Sequence, residues 1–281
     1  MALLAHTLAL LAMTVATVAI YVKPLDMAEN SFDDQYQGCR PAMTAALPGL
    51  NHSELQINDV FALVWPVAVA AWQNEGSPVS PLSSPAQAIA ITAFMLHDCL
   101  HGTFNIATRA GGRSPQQYRD NFHYKTLHFL LTDALATLRD AHKGQCLDVF
   151  LQHCGDQYEA KAGDTVRFGQ FFIMSLTKPT QGGGRCPVET FFRVHTCQGA
   201  GIQSFFEHPE HEWVLIPPFE TFEVTEYNQE GGKTQIQLRS TGNYSKYNCE
   251  WLKGGSISLA PFHLRGLLLA ITALAVATWF P

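Results

Sequence analysis

The sequence predicts an α+β fold in one domain, with helices in its first half and strands in its second. Three observations carry this reading. Apolar residues recur at helical spacing between residues 55 and 139. From Thr165 onward come short runs rich in Phe, Val, Ile and Thr. Glu230-Gly-Gly232 sits between the last two runs as a hairpin turn.

The elements follow in order. Leu55–Gln73 reads as a helix carrying Trp65 and Trp72, kinked or interrupted at Pro66. Pro85–His101 is a second apolar segment with Pro85 in its first turn. A third helix starts at Ser114-Pro-Gln-Gln117, where Ser114 caps, Pro115 suits the first position and Gln117 completes a capping box. Its apolar face runs through Phe122, Leu127, Leu131 and Leu138 to about Arg139. Strands are expected over Thr165–Leu176, Thr190–Cys197, Trp213–Tyr227 and Lys233–Ser240, with a loop at Gln181-Gly-Gly-Gly184.

The ends differ from the middle. Residues 1–20 are apolar and free of Lys, Arg, Asp and Glu, and read as a signal peptide or, alternatively, an N-terminal membrane anchor. Gly266–Pro281 is a hydrophobic tail, short of the ~20 residues a spanning helix needs. Ahead of it lie a spacer, Ile257–Arg265, and the small residues Gly254-Gly-Ser256. That order is the pattern of a GPI-anchor signal; the alternative is a short transmembrane tail. The expectation is therefore a domain over residues 21–255 on the extracellular face of the plasma membrane, or secreted, with residues 256–281 a propeptide or tail. Seven cysteines suit disulfides there, with one left over. Asn51-His-Ser and Asn243-Tyr-Ser are candidate glycosylation sites.

Composition excludes some partners. A net charge of −6 supplies no basic face for nucleic acid. There is no Cys-x-x-Cys pair for a zinc ribbon. His97 and His101 have metal-ligand spacing on a helix, but no third ligand accompanies them, so no metal site is expected.

Glu210-His-Glu212 places two carboxylates on one face of a strand. Paired carboxylates suit work at a sugar carbon that develops positive charge. The pair alone is unspecific, because exposed strands often carry one. Its surroundings are specific. Ser204-Phe-Phe-Glu207 leads into it, and Leu215-Ile-Pro-Pro-Phe-Glu-Thr-Phe222 follows. Asp26-Met-Ala28, Phe32-Asp-Asp34, Lys125-Thr-Leu-His-Phe-Leu-Leu131, Val166-Arg-Phe-Gly-Gln-Phe171, Thr196-Cys197 and Tyr247-Asn-Cys249 complete the set. Across nearly the whole domain this resembles the vertebrate GPI-anchored ecto-mono-ADP-ribosyltransferases, the NAD(P)(+)--arginine ADP-ribosyltransferases.

The resemblance implies N-terminal helices packed beside two antiparallel β-sheets, with NAD in a cleft. It implies transfer of ADP-ribose from NAD(P)+ to arginine residues of extracellular proteins, with release of nicotinamide. It implies bridges Cys39–Cys249 and Cys146–Cys197, with Cys154 and Cys186 available for a third and Cys99 left over. Gln170 and Ser204 match NAD-contacting positions, and Phe94 replaces a stacking Tyr. The family signature also holds an Arg that grips the NAD phosphates, a Ser-x-Ser that orients the nicotinamide side, and a Glu-x-Glu whose second Glu stabilises the ribosyl cation. Here Leu151 stands at the Arg position, and Ile173-Met-Ser175 keeps only the second Ser. Trp213 stands at the Glu position. A bulge would put Glu210 and Glu212 into the Glu-x-Glu site; regular pairing would turn Glu212 away. Two functions follow: a transferase using Glu212 and Glu210, or a non-catalytic cell-surface binding protein on the same fold.

Overall fold

The computed structural model describes residues 22–179, 186–205 and 212–254. The expected signal peptide, the C-terminal tail, the Gly182–Gly184 loop and Glu210 lie outside the described residues. The helices form the first half, as the periodicity predicts: α1 (Arg40–Ile57), α2 (Asp59–Asn74), α3 (Pro85–Leu96), α4 (Asp98–Gly111), α5 (Pro115–Asn121) and α6 (Lys125–Ala141). The boundaries differ from the expected ones, and each break has a local cause. Asn58 leaves helical geometry and accepts a bond from the Phe61 amide, so the Leu55–Gln73 segment is the end of one helix and all of the next. Pro66 stays inside α2. Helix α3 starts on a full capping box between Ser84 and Gln87, with Pro85 behind the cap. At Ser114 only half of such a box forms: Ser114 accepts from the Gln117 amide.

The third expected helix splits at Phe122, and α6 begins without a cap of its own. Its free amides at Lys125 and Thr126 are taken instead by the buried Glu54 of α1, at 2.6 and 2.9 Å. The α3–α4 break falls at His97, which is extended and stands at the N-cap position of α4 without a side-chain cap bond. His97 and His101 therefore do not share one uninterrupted helix.

The second half supplies strands β2 (Leu147–Cys154), β3 (Gln157–Glu159), β4 (Thr165–Val166), β5 (Phe172–Ser175), β6 (Glu189–Thr196), β7 (Ala200–Gly201), β8 (Trp213–Ile216), β9 (Glu220–Glu230) and β10 (Lys233–Asn243); β1 (Val22–Pro24) and α7 (Glu250–Gly254) sit at the two ends. The short β1 pairs with β3, parallel. The other eight strands run in the order β4-β9-β10-β6-β2-β5-β8-β7. Seven pairings link them, six antiparallel and β10–β6 parallel. The β2–β5 link is a single pair, Phe150 with Ser175. The ladder thus falls into a five-strand part and a three-strand part hinged at one point, which is how one hydrogen-bonded order accommodates the two sheets the resemblance implies.

Two apolar clusters fill the interior. One joins the helices to Phe171, Ile202, Phe205 and Leu215; the other lies among the strands, around Val149, Phe172, Met174, Phe192, Val214 and Ile216. Alternate residues of β5 and β8 feed alternate clusters, as a strand's period of two requires. Disulfides Cys39–Cys249, Cys146–Cys197 and Cys154–Cys186 form, and Cys99 is free and exposed. No helix among the described residues is long and apolar enough to cross a membrane.

Candidate functional site

The three positions at which the sequence departs from the signature lie on the strands beside the hinge of the ladder, Leu151 on β2, Ile173 on β5 and Trp213 on β8. Strand β8 runs antiparallel to β5, with Ile173 opposite Leu215 and Ser175 opposite Trp213. Ser175 also faces Phe150 of β2. Pairing continues one bond beyond β8, where the Leu176 amide donates to the Glu212 carbonyl at 2.9 Å. The Ile202 amide donates to the Trp213 carbonyl at 2.9 Å. No extra residue interrupts the register between 212 and 216, so pleat alternation sends Glu212 and Trp213 to opposite faces. Glu212 is exposed. Trp213 is half-buried and packs, with Ile173, on the helical cluster that holds Phe94 and Phe171. Leu151 sits opposite the buried Phe192 and packs on the other cluster.

The expected NAD-contacting residues are distributed around this corner. Phe94 is 1% exposed and packs edge-on against Phe104, Phe171 and the His101 imidazole, the last at 4.7 Å. Burial pushes the His101 pKa down, so this ring pair is neutral near pH 7. Ser204 is exposed on a single 3-10 turn, Gln203–Phe205, tied to α3 by the Thr92 hydroxyl bonding the Phe205 carbonyl at 3.2 Å. Ser175 accepts from the Thr177 amide at 3.0 Å. Gln170 is held from both sides. Its backbone neighbour Phe171 exchanges two hydrogen bonds with the Asn105 side chain, and the Gln170 side-chain oxygen Oε1 accepts from Arg109 at 2.8 Å.

Gln170 and Arg109 border a cavity of about 470 Å³, walled by Tyr158, Phe168 and Phe172, with Lys23 at its rim. Arg167 also lines it, but its guanidinium is committed to Asp33 at 2.7 Å, both groups buried. Of the expected contacts this cavity holds Gln170 alone. These residues fit a dinucleotide in part: Gln170 and Ser204 offer polar groups, while Phe94 is enclosed and Leu151 and Ile173 offer no donor. Arg109 is the feature that sequence reading missed. Its only signal was a basic residue in the last turn of α4.

Glu220, in the Pro-Pro-Phe-Glu-Thr-Phe stretch, is wholly buried. It takes bonds from the Thr196 and Ser240 hydroxyls and from the Cys197 and Gln198 amides. Burial raises its pKa while these four donors oppose the rise. This carboxylate ties β9 to the end of β6, which gives the family-marking motif a structural reason. Cys146, His195 and Cys197 lie close together, but the two sulfurs are joined to each other and are not thiolate ligands.

Fold and site together define a disulfide-bonded α+β protein whose helical layer meets a hinged sheet beside a carboxylate-bearing strand, the class of the mono-ADP-ribosyltransferases. Residues 25–246 match the sequence profile of the family described as NAD:arginine ADP-ribosyltransferase. The chain is 45% identical over 231 residues to NAD(P)(+)--arginine ADP-ribosyltransferase 2 of Gallus gallus, covering 82% of this chain and 73% of that one. It is 40% identical over 279 residues to GPI-linked NAD(P)(+)--arginine ADP-ribosyltransferase 1 of Homo sapiens, covering 91% and 84%. Among solved structures it is similar to the eucaryotic mono-ADP-ribosyltransferase ART2.2, at a TM-score of 0.67 and 31% identity, covering 80% of this chain and 98% of that one. A mutant of ART2.2 in complex with NAD matches at 0.66 and 32%, with the same coverage. The chain belongs to the NAD:arginine ADP-ribosyltransferase family. Its fold is the ADP-ribosyltransferase fold, the family's substrate is NAD(P)+, and its reaction is ADP-ribose transfer to arginine; the family implies no metal.

Proposed function

We propose that this protein is a cell-surface arginine ADP-ribosyltransferase with a weakened hold on NAD(P)+. Glu212, with Glu210, supplies the carboxylates for the ribosyl cation, and Gln170, Ser204 and Ser175 line the NAD path, with the enclosed Phe94 packed behind it. The acceptors are arginine-bearing extracellular proteins. The observation supporting this reading is the fold itself, shared with relatives 40–45% identical that are named as arginine ADP-ribosyltransferases; Glu212 is exposed at the start of β8, on the face opposite Trp213. Leu151 brings no charge to the pyrophosphate. A charge-assisted hydrogen bond contributes ~1.5–3 kcal/mol, so affinity for NAD(P)+ is low.

A second reading is a non-catalytic surface-binding protein. Ile173 and Trp213 favour it, because both pack on the helical cluster where the signature would place a hydroxyl and a carboxylate. One experiment separates the two. Purified protein is incubated with labelled NAD+ and agmatine, and nicotinamide release is followed. Turnover lost on combining Glu210→Gln with Glu212→Gln establishes the transferase. No heat of NAD+ binding by calorimetry, together with no turnover, leaves the binding protein.

The same reading places the domain at residues 21–255, behind a signal peptide over 1–20 and ahead of a GPI-anchor propeptide over 256–281, with glycans on Asn51 and Asn243. Asn243 is exposed at the end of β10, whereas Asn51 is half-buried within α1. Release from cells by a phosphatidylinositol-specific phospholipase supports the anchor; retention would favour a spanning tail.

A further inference from the structure

We propose that a second cavity, remote from the β5–β8 corner, is a binding site for a small oxyanion or carboxylate. It measures about 210 Å³ and lies between α6, the segment leading into α1, and the strand ends at Gln198, Phe219 and Asn243. None of the residues expected to contact NAD lines it.

The case rests on donors that lack acceptors. Thr132 and Arg139 both line the cavity, seven residues apart and so on one face of α6. Thr132 is 2% exposed, and its hydroxyl has no hydrogen-bond partner among the described residues. The Nε of Arg139 is buried and equally unpartnered, while one terminal nitrogen of the same guanidinium donates to the Gln198 amide oxygen. Buried donors left unmade are uncommon, because each has given up water without replacing it. Two such donors in one polar cavity point to an acceptor that belongs there.

Charge points the same way. Among the described residues no carboxylate is within ion-pair distance of Arg139. Asp133 is taken: it accepts from Gln87 at 2.7 Å and pairs with Arg40 at 3.4 Å. Asp140 also lines the cavity, but it is the next residue on the helix and makes no ion pair with Arg139 among the described residues. Arg139 thus has no ion-pair partner among the described residues, and Arg40 adds a second, half-exposed cation to a wall that carries one carboxylate, Asp140. A planar fork of N–H donors with a hydroxyl beside it matches the oxygens of phosphate, sulfate or a carboxylate. The cavity, about 210 Å³, admits a group of that size together with water.

The test titrates the purified protein with inorganic phosphate, sulfate and acetate at constant ionic strength set by chloride. Saturable binding in the millimolar range is expected, with a rise in thermal midpoint that follows the ligand. Arg139→Gln should weaken it by ~10-fold or more, the ratio expected for one charge-assisted hydrogen bond, and Thr132→Val by a few-fold. On the unmodified protein, the Arg139 Nε–Hε resonance should move along the same titration, which keeps the proposal testable even where a variant folds poorly. Absence of saturable binding for all three anions would overturn it. So would binding that leaves the Arg139 resonance fixed. NAD+ competing for the observed phosphate would instead assign the anion to the family's own cleft.

Discussion

Position 213 shows how one residue can separate a family's fold from its chemistry. The strand partner of Ser175 is an indole packed on the helical cluster, and the carboxylate just before it, Glu212, is sent to the other face by the pleat. Restoring the polar pair should therefore matter more than enlarging the present site. The double change Ile173→Ser with Trp213→Glu, combined with Leu151→Arg, should raise agmatine-dependent nicotinamide release by at least ~100-fold, the scale of one well-placed electrostatic group. The same assay on Ile173→Ser with Trp213→Glu alone should give a smaller gain, because Leu151 packs on the other cluster and must supply the phosphate contact separately. No gain in the triple variant would mean that the cleft is closed for another reason. A second residue, His128, fixes the pH behaviour. It is fully buried, bonded to the Tyr36 hydroxyl at 2.9 Å and near the Phe32 carbonyl at 3.2 Å, and burial holds its pKa down at about 3. The unfolded chain takes up that proton near pH 6.5 and the folded one does not, so stability falls as pH drops from about 6.5 toward 3. The loss is about 1.4 kcal/mol per pH unit from this group. Asp34, Glu54, Asp133 and Glu220 have raised pKa values and offset part of it at the acid end. Urea midpoints at pH 7 and pH 5 should differ in the unmodified protein and differ less in His128→Gln.

Between elements, the distinctive contact is the Glu54 carboxylate of α1 on the first amides of α6. A helix N-terminus carries partial positive charge, so a buried carboxylate there is held by two amides and the dipole together. Lys125, beside it, is pushed down to about 8 by burial, with Glu54 opposing the shift. Glu54→Ala leaves two buried amides open and should cost ~2–4 kcal/mol, read from urea denaturation. A cost below ~0.5 kcal/mol would show that water or the helix itself replaces the carboxylate. This contact also marks what the sequence could not disclose. Local signals found the first-turn Pro85 of α3, the cap at Ser114 and the hairpin at Glu230-Gly-Gly232, because each is made within four residues. The breaks at Asn58, His97 and Phe122 were missed, since apolar periodicity runs across all three and the capping groups are either weak or distant. Helix α1 was largely missed because Pro48 and scattered polar residues hide it. Strand β2 was missed because its polar Gln152 and His153 break the apolar run. The site was legible only as a set of departures from a family pattern. Its register needed the β5–β8 ladder, and the Arg109–Gln170 bond joins residues 61 positions apart.

At the scale of the whole molecule, the two ends of the described chain are sewn together. Asp33 and Asp34 receive the amides of Lys246, Tyr247, Cys249 and Glu250, and Asp33 also holds Arg167. Cys39–Cys249 adds a covalent tie across 210 residues at the same seam. The hydrogen bonds act on the folded state, while the tie acts mainly on the unfolded one by removing loop-closure entropy. That entropy grows with the logarithm of loop length, so the three bridges are unequal. For loops of 210, 51 and 32 residues the chain-entropy estimate gives about 5, about 4 and slightly under 4 kcal/mol. Replacing Cys39 and Cys249 by Ala should therefore lower unfolding free energy by ~1–2 kcal/mol more than replacing Cys154 and Cys186, with the denaturant slope increased because the unfolded chain becomes more expanded. The seam should remain native-like at low denaturant, since the Asp33 and Asp34 contacts do not depend on the sulfurs. If the short-loop pair proves the costlier to remove, its stabilisation comes from the folded β2 edge, and the long tie is redundant with the carboxylates beside it.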